Sequence, residues 1–194
     1  MRIVRLTFCS QSKTSIVGLL GTAMSAGLIF AKFARPPARL CFSEPLALGA
    51  RDGRPALMFR VGNQRGNHIT NGLMKLTLTY LETSVEDEVV RRFIPLRLQR
   101  PTNELFSLVW QGTHFLDDAS PLAGDPRAWM EEHDAQLLVV VSGLDQDLGQ
   151  ELHASYAYLP EDIVEDARLA DMFSTDEEMG RIVDFSHFHE TMKI

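Results

Sequence analysis

Cysteine is scarce in this chain of 194 residues, where only Cys9 and Cys41 occur. Two cysteines cannot build the disulfide framework of a small secreted domain, and neither stands in the close spacing of a zinc site. Basic residues are outnumbered by acidic ones, which gives a formal net charge of -7. This charge disfavours nucleic acid as a partner, because phosphate binding needs a basic face. Nucleophile elbows, phosphate-binding loops and dinucleotide fingerprints are missing too. These absences predict a protein in a reducing compartment that is not an enzyme, carries no cofactor and binds no nucleic acid.

The charge that is present is distributed unevenly. Before Ala56 the chain carries eight basic residues and only two acidic ones, whereas acidic residues dominate from Asp117 onward. A hydrophobic content of 45% with 23% charged residues is enough to build a core and argues against disorder. A basic leader followed by an acidic body indicates that the two parts face different surroundings.

One uncharged apolar run covers residues 16–31. As a helix it would span about 24 Å, slightly less than the ~30 Å hydrocarbon core of a bilayer. Flanking apolar residues, with Lys32 extending its amine toward the headgroups, bring the run close to spanning length. Its small residues, Gly18 and Gly21 among them, suit close helix packing in lipid.

Two other interpretations of residues 16–31 stay open. Basic residues precede the run, and Ala23 and Ser25 on either side of Met24 loosely fit a small-residue cleavage site, which is typical of a secretory signal peptide. A buried helix of a soluble protein is the second alternative. Lys32, Arg35 and Arg39 favour a membrane helix that enters the cytoplasm, because such residues attract anionic headgroups at about 1 kcal/mol each. Basic residues on both sides of the run leave its orientation open.

The body of the chain is predicted to be made of short strands. Met74, Leu76, Leu78 and Tyr80 alternate with polar residues, which is typical of a strand with one buried face. Further strands are predicted at residues 56–61, 89–98, 105–110, 136–141, 151–158 and 181–185. A short helix is predicted at residues 126–132, with Asp125 as its N-cap. This pattern favours an all-β fold, an immunoglobulin-like β-sandwich.

Five short pieces of sequence carry a resemblance to a known family. They are residues 33–36 (FARP), 57–65 (LMFRVGNQR), 117–122 (DDASPL), 155–156 (SY) and 185–189 (FSHFH). They follow an apolar segment in this order, over roughly residues 16–191. In this they resemble the end of the inner pore helix and the cytoplasmic domain of prokaryotic inward-rectifier potassium channels.

The resemblance implies an organisation and a function. Residues 1–13 would be a divergent N-terminal segment, residues 14–40 the end of the inner transmembrane helix with its basic linker, and residues 41–194 the cytoplasmic β-sandwich. The chain would be the C-terminal portion of a channel subunit, located in the membrane, that forms the lower pore, a lipid-sensitive gate and the cytoplasmic ion path. Its expected partners are three further copies in a homotetramer, or related channel subunits, together with potassium ions and anionic membrane lipids.

Particular residues take roles from the resemblance. Phe30 matches the bulky residue at which four inner helices narrow the pore, where a ring of apolar side chains can dewet. Gly18 and Gly21 resemble glycines that let the inner helix bend, although a pure packing role fits them equally. The residues that resemble the family's anionic-lipid site are Lys32, Arg35 and Arg39.

A loop in the body resembles the second narrowing of the family's ion path. Its residues are Gly143, Leu144, Asp145, Asp147 and Gly149. Asp145 and Asp147 could line the path and attract cations, or the loop could be an ordinary solvated turn, since aspartate and glycine are turn residues. Asn71 and Ser142 occupy positions that are often acidic in strong rectifiers, so we expect weak polyamine block.

The family's selectivity filter, T-V-G-Y-G or a near relative, does not occur in the sequence. Carbonyl groups of that filter replace the hydration shell of the ion, so this polypeptide taken alone is not expected to conduct potassium selectively. Residues 1–13 could be a misassigned start or the result of a frameshift. The alternative function is a pore-less regulatory or binding module that co-assembles with full-length channel subunits.

The histidines are the remaining candidates for chemistry. If they lay on a strand, His187 and His189 would point to one side and, with Glu190, could imitate a metal site, but no third ligand is identifiable nearby. His114 stands near Asp117 and Asp118, an arrangement that the resemblance explains as a structural turn. No metal site is predicted.

Overall fold

The computed structural model of the chain describes residues 18, 20–27, 39–176 and 180–193. By its contacts the chain divides into two units, Met1–Pro37 and Ala38–Ile194. In the first unit, residue 18 and residues 20–27 are helical. The hydroxyl of Thr22 donates to the carbonyl oxygen of Gly18 at 3.0 Å, and that of Ser25 donates to Gly21 at 2.8 Å. Within the described part of the chain, no helix has both the length and the apolar character needed to cross a membrane.

The second unit is built of strands, as predicted. Its strands in the described residues are β1 Leu40–Phe42, β2 Leu46–Arg51, β3 Arg54–Asn63, β4 Ile69–Thr83, β5 Val89–Leu96, β6 Thr102–Phe106, β7 Val109–Phe115, β8 Gln136–Asp145, β9 Gln150–Tyr158, β10 Ile163–Val164, β11 Ala167–Leu169, β12 Phe173–Asp176, β13 Gly180–Val183 and β14 Thr191–Lys193. One helix, α1 (Pro126–Glu132), interrupts them, and 3₁₀ turns lie at Pro160–Asp162 and Phe185–His187.

Most of the strands form two five-stranded sheets. In the first sheet β3 is central: β1 and β2 pair with one of its edges, β7 pairs with the other, and β10 runs parallel to β2. In the second sheet β4 is central: β5 and β6 share one of its edges, and β8 followed by β9 lies on the other. β11 pairs with β14, and β12 pairs with β13, as separate antiparallel pairs.

The core lies between the two sheets and makes the body a β-sandwich. Leu57, Phe59 and Val61 of the first sheet belong to one buried cluster with residues of the second sheet, such as Leu78. The rings of Phe59 and Tyr158 have centroids 5.7 Å apart across the interface. Burial of apolar faces with a period of two therefore stabilises the sandwich, as the alternating pattern in the sequence predicts.

The first sheet is also covered on its other face. Residues 56–63 of β3 are all buried, which is unusual for a strand of an antiparallel sheet with one solvated side. Met58 and Ala56 pack against Ala167 of β11 in a second, smaller cluster. The segment that follows β10 therefore folds back over the outer face of the first sheet.

Several predicted elements need correction. The strand predicted at residues 105–110 is wrong as a single element, because the chain turns at residues 107–108 between β6 and β7. The strand predicted at residues 181–185 ends at Val183, since the Asp184 carboxylate accepts a hydrogen bond from the Ser186 amide and starts a 3₁₀ turn. The helix at residues 126–132 is confirmed, with Asp125 accepting from the Ala128 amide at 3.0 Å.

Candidate functional site

The loop predicted at residues 143–149 to narrow an ion path is shorter in the structure, because Gly143, Leu144 and Asp145 belong to β8 and only residues 146–149 connect β8 to β9. The register closes the hairpin with Asp145 opposite Gln150, which leaves four residues in the loop. The Asp145 carboxylate accepts hydrogen bonds from the amides of Asp147 at 3.0 Å and Leu148 at 3.1 Å. The carbonyl of Asp145 accepts from the Gly149 amide at 2.8 Å. Gly149 adopts φ +60°, a conformation that glycine reaches without strain.

The two aspartates of this loop have different surroundings. Asp145 is only 5% exposed, and one of its carboxylate oxygens lies 3.5 Å from the guanidinium of Arg65. Asp147 is exposed. The Asp145 carboxylate is therefore held by the loop amides and by Arg65, whereas the Asp147 side chain faces solvent.

The base of the loop packs closely against β4. A Cβ atom on Gly143 would lie 2.6 Å from Ile69 Cγ2 and 3.2 Å from the Thr70 carbonyl oxygen. The Thr70 hydroxyl donates to the carbonyl of Leu144 at 3.4 Å, and pairing between β4 and β8 shifts register between Thr70 and Leu73. Asn71 stands in this irregularity with φ +52°. Gly143 therefore allows a close approach of two strands just where one of them bulges.

The residues assigned to lipid binding are only partly described. Arg39 is exposed at the start of the second unit, where its carbonyl accepts a hydrogen bond from the Gln64 amide at 3.0 Å. Phe30, Lys32 and Arg35 lie outside the described residues. Gly18 and Gly21 lie in the described helix of the first unit, and a Cβ atom at either position would meet nothing within 4 Å.

His114 is buried, and both of its ring nitrogens are engaged in hydrogen bonds. It is 4% exposed, with Nδ1 2.8 Å from the Arg97 carbonyl oxygen and Nε2 2.9 Å from the Ser120 hydroxyl oxygen. The Ser120 amide donates to the Asp117 carbonyl at 2.8 Å, which closes the turn before Pro121. Both ring nitrogens are thus used to hold this turn against the β5–β6 connection.

His187 and His189 do not share a strand, so their predicted arrangement on one face is wrong. His187 lies in the 3₁₀ turn, with Nδ1 2.5 Å from a Glu190 carboxylate oxygen and Nε2 3.7 Å from Asp184. The hydrogen bond to Glu190, supported by both carboxylates, raises the pKa of His187 above its usual value. His189 Nδ1 instead accepts from the Glu44 amide at 3.2 Å. In the portion of the chain that the structure describes, no group of three potential metal ligands is found.

Sequence reasoning missed a basic cavity of about 640 Å³ on the outer face of the first sheet. Arg60 of β3 lines it although Arg60 is only 4% exposed, and burial lowers the pKa of its guanidinium while Asp171 opposes that shift. A signal was present in the sequence, because Arg60 interrupts the apolar run of residues 56–61 between Phe59 and Val61. A charged residue inside a buried strand indicates a site or a buried ion pair.

Comparison with known proteins identifies the family. The model of the inward rectifier potassium channel C-terminal domain matches residues 40–194, the whole sandwich. The chain is 34% identical over 176 residues to the inward rectifier potassium channel Kirbac3.1 of Paramagnetospirillum magnetotacticum, a match that covers 91% of this chain and 60% of that protein. It is 31% identical over 188 residues to the mouse ATP-sensitive inward rectifier potassium channel 12, with 93% and 44% covered.

A third relative is the mouse G protein-activated inward rectifier potassium channel 3, 29% identical over 193 residues, with 93% of this chain and 47% of that protein covered. The chain thus spans about half of the length of the relatives it matches. All three are named as ion channels, none as an enzyme. On the extent of the domain match and the identity to the bacterial relative, the chain belongs to the inward rectifier potassium channel family, in which it corresponds to the C-terminal part of a prokaryotic member.

Proposed function

We propose that this chain is the C-terminal part of a potassium channel subunit and that its sandwich forms the cytoplasmic part of the ion path. The observation that carries the proposal is the match of the channel domain to the entire sandwich. Residues 14–40 would supply the end of an inner pore helix and a basic linker, and residues 41–194 the domain below the membrane. The selectivity filter comes from residues other than these 194, either in the same polypeptide or in a partner subunit.

Four copies around the pore axis would place their β8–β9 loops in one ring. The loop suits a fixed narrowing, because Asp145 ties its amides together and Gly143 seats it on β4. Asp147 is the residue that would present negative charge to passing cations, since the Asp145 carboxylate is turned inward. Phe30 would form a separate apolar ring where the inner helices cross.

Anionic lipid would act on the linker between membrane and sandwich. Lys32, Arg35 and Arg39 follow one another on a short stretch, and each basic residue near a bilayer surface contributes about 1 kcal/mol. Binding of the purified chain to vesicles with phosphatidylglycerol should weaken about fivefold for each of these residues changed to Gln. Arg91→Gln, an exposed position on β5, serves as the charge-matched control and should leave vesicle binding unchanged.

Gly18 and Gly21 would act as the bending points of the inner helix. The open space around both positions means that Gly→Ala at either one adds no clash with the described residues of the helix. Any effect of these variants on gating would then report helix flexibility or packing against other helices.

Subunit stoichiometry tests the assembly. The 21.8 kDa chain, extracted from membranes, is expected to have the mass of a tetramer in native mass spectrometry. With Cys9 and Cys41 replaced by Ser, Asp147→Cys should form cross-linked species between copies on oxidation, while the cysteine-free parent should not. A monomer under all extraction conditions contradicts the homotetramer. Co-purification of that monomer with intact channel subunits would instead support the regulatory, co-assembling form of the subunit.

A further inference from the structure

The basic cavity lies on the side of the first sheet that faces away from the second sheet. Met58 and Arg60 of β3 form part of its floor, because they alternate with the core residues Leu57, Phe59 and Val61. Residues 168–173 form its opposite wall. Its volume of about 640 Å³ falls in the range of sites for small molecules.

The lining of this cavity is strongly positive. Among the described residues of its lining, four are arginines and one, Asp171, carries a carboxylate. Among the described residues, no carboxylate oxygen lies within 4.0 Å of a guanidinium nitrogen of these arginines, although such pairs form at four arginines elsewhere in the body. The four cavity arginines are Arg51, Arg60, Arg100 and Arg168.

Arg60 is the buried one of these four arginines, whereas the other three are exposed. Its guanidinium donates one hydrogen bond, 2.7 Å long, to the Ala170 carbonyl. Asp171 is attracted to it, but one oxygen of that carboxylate accepts from the Phe173 amide at 2.9 Å. A buried cation usually carries a carboxylate partner, because desolvation of an unpaired charge is costly. The described part of the chain offers no other acceptor to the Arg60 guanidinium, so its remaining donors are available to an anion in the cavity.

Other lining residues complement an anionic ligand that has more than one acceptor group. Gln99, Asn103 and Gln111 bring amide groups to the cavity, and Trp110 and Met58 supply apolar surface. The planar donors of arginine match the oxygens of a phosphate group, to which they bind in pairs. We propose that this cavity is a binding site for a polyvalent phosphate anion, held by Arg51, Arg60, Arg100 and Arg168.

This site differs in its residues from the lipid site proposed on the linker, since Arg39, the one residue of that lipid site that the structure describes, is not part of the cavity lining. Binding to it does not depend on conduction, so it stands or fails separately from the channel function. The phosphate could be borne by a soluble metabolite or by a lipid headgroup. Both present the same oxygens to the four arginines.

Calorimetric titration of the full 194-residue chain with inorganic pyrophosphate tests whether the cavity binds a soluble phosphate. Arg100→Gln and Arg168→Gln change exposed residues of the lining and should leave the fold intact. Each is expected to raise the Kd for pyrophosphate about tenfold, because each removes charge-assisted hydrogen bonds. Arg91→Gln removes the same charge on β5, outside the cavity, and should change the Kd less than about twofold.

Sedimentation with phosphatidylcholine vesicles, with and without phosphatidic acid, tests the membrane source with the same variants. Weaker binding of Arg100→Gln and Arg168→Gln to the phosphatidic acid vesicles, with Arg91→Gln unchanged, would assign the site to a lipid headgroup. Loss of pyrophosphate affinity in the two cavity variants would assign it to a soluble phosphate. The proposal is overturned if neither probe distinguishes the cavity variants from Arg91→Gln, or if neither probe binds the unmodified chain at millimolar concentration.

Discussion

The hydroxyl of Tyr158, at the end of the second sheet, donates a hydrogen bond of 2.7 Å to the carbonyl oxygen of Ser43, next to β1 of the first sheet. The two residues are 115 positions apart in sequence. The Ser43 hydroxyl in turn accepts from the Arg60 amide at 3.1 Å. This buried contact joins the two sheets directly beside the strand that carries the basic cavity.

Tyr158→Phe should lower the free energy of unfolding by about 1–2 kcal/mol, because it leaves the buried Ser43 carbonyl without that donor. Burial raises the pKa of the Tyr158 phenol well above its ordinary range. Above about pH 10 the unfolded phenol ionises while the folded one stays protonated, so the unmodified chain loses stability as pH rises further. Urea unfolding between about pH 9 and 11 should therefore show that the difference between chain and variant shrinks with pH.

Tyr80→Phe is the matched control for that series, since Tyr80 is half-buried at the edge of the core and its ring contacts are kept by phenylalanine. It should show a smaller loss of unfolding free energy than Tyr158→Phe. An equal loss in both variants would mean that the Tyr158–Ser43 hydrogen bond contributes nothing specific to the joining of the sheets.

Gly143→Ala and Gly149→Ala should both destabilise the sandwich, for different reasons. A methyl group added at Gly143 would overlap Ile69 at 2.6 Å and push against the backbone of β4, at a cost of about 1–3 kcal/mol. At Gly149 there is open space, but φ +60° costs an alanine about 1 kcal/mol. Equilibrium unfolding in urea measures both, and Gly149→Asn should recover part of the Gly149→Ala loss because asparagine tolerates that φ. A loss at Gly149 larger than that at Gly143 would contradict the close packing of Gly143 against β4.

Asp145→Ala and Asp147→Ala separate the structural aspartate of the loop from the exposed one. Removal of the Asp145 carboxylate leaves two loop amides and Arg65 without their acceptor, which should cost about 1–3 kcal/mol in urea unfolding. Asp147→Ala, at an exposed position, should change stability by no more than about 0.5 kcal/mol. The reverse order of effects would show that Asp145 does not organise the loop.

His187 should titrate above its ordinary pKa, since Glu190 and Asp184 favour its protonated form. A raised pKa in the folded state means that the interaction is fully present below about pH 6 and is lost as pH rises through the folded value. NMR titration of the imidazole signals should place His187 above the usual His value of about 6.5, and Glu190→Gln should move it down. Asp184 contributes less, so Asp184→Asn should lower the pKa of His187 less than Glu190→Gln does. A His187 pKa at the ordinary value in the unmodified chain would contradict its contacts with Glu190 and Asp184.

The sequence allowed the sandwich to be predicted because its longest strands have one apolar face. Met74, Leu76 and Leu78 define β4 in the sequence, and all three are buried in the structure. The edge pieces β10, β11 and β14 were not predicted. They are two or three residues long and pair with distant segments, so no periodicity within them reveals a strand.

The candidate site likewise has features that neighbouring residues predict and features that depend on residues far apart in the chain. The turn character of residues 145–149 follows from aspartate and glycine, and the helix cap at Asp125 follows from its neighbours. The contact of the Asp145 carboxylate with Arg65, 80 positions earlier in the chain, could not be predicted from the local sequence. The basic cavity likewise gathers arginines from four separate segments, which a search along the chain does not bring together.

The measurement that tests the channel proposal most directly is rubidium flux through liposomes containing a chimera. The chimera joins the pore-forming part of Paramagnetospirillum magnetotacticum Kirbac3.1 to residues 40–194 of this chain. We expect flux comparable to that of the parent channel and a several-fold reduction on Asp147→Lys, because a ring of four positive charges would then stand in the ion path. A chimera that assembles in the membrane but carries no flux would contradict the proposal that the sandwich forms part of the ion path. A flux that Asp147→Lys leaves unchanged would contradict it as well.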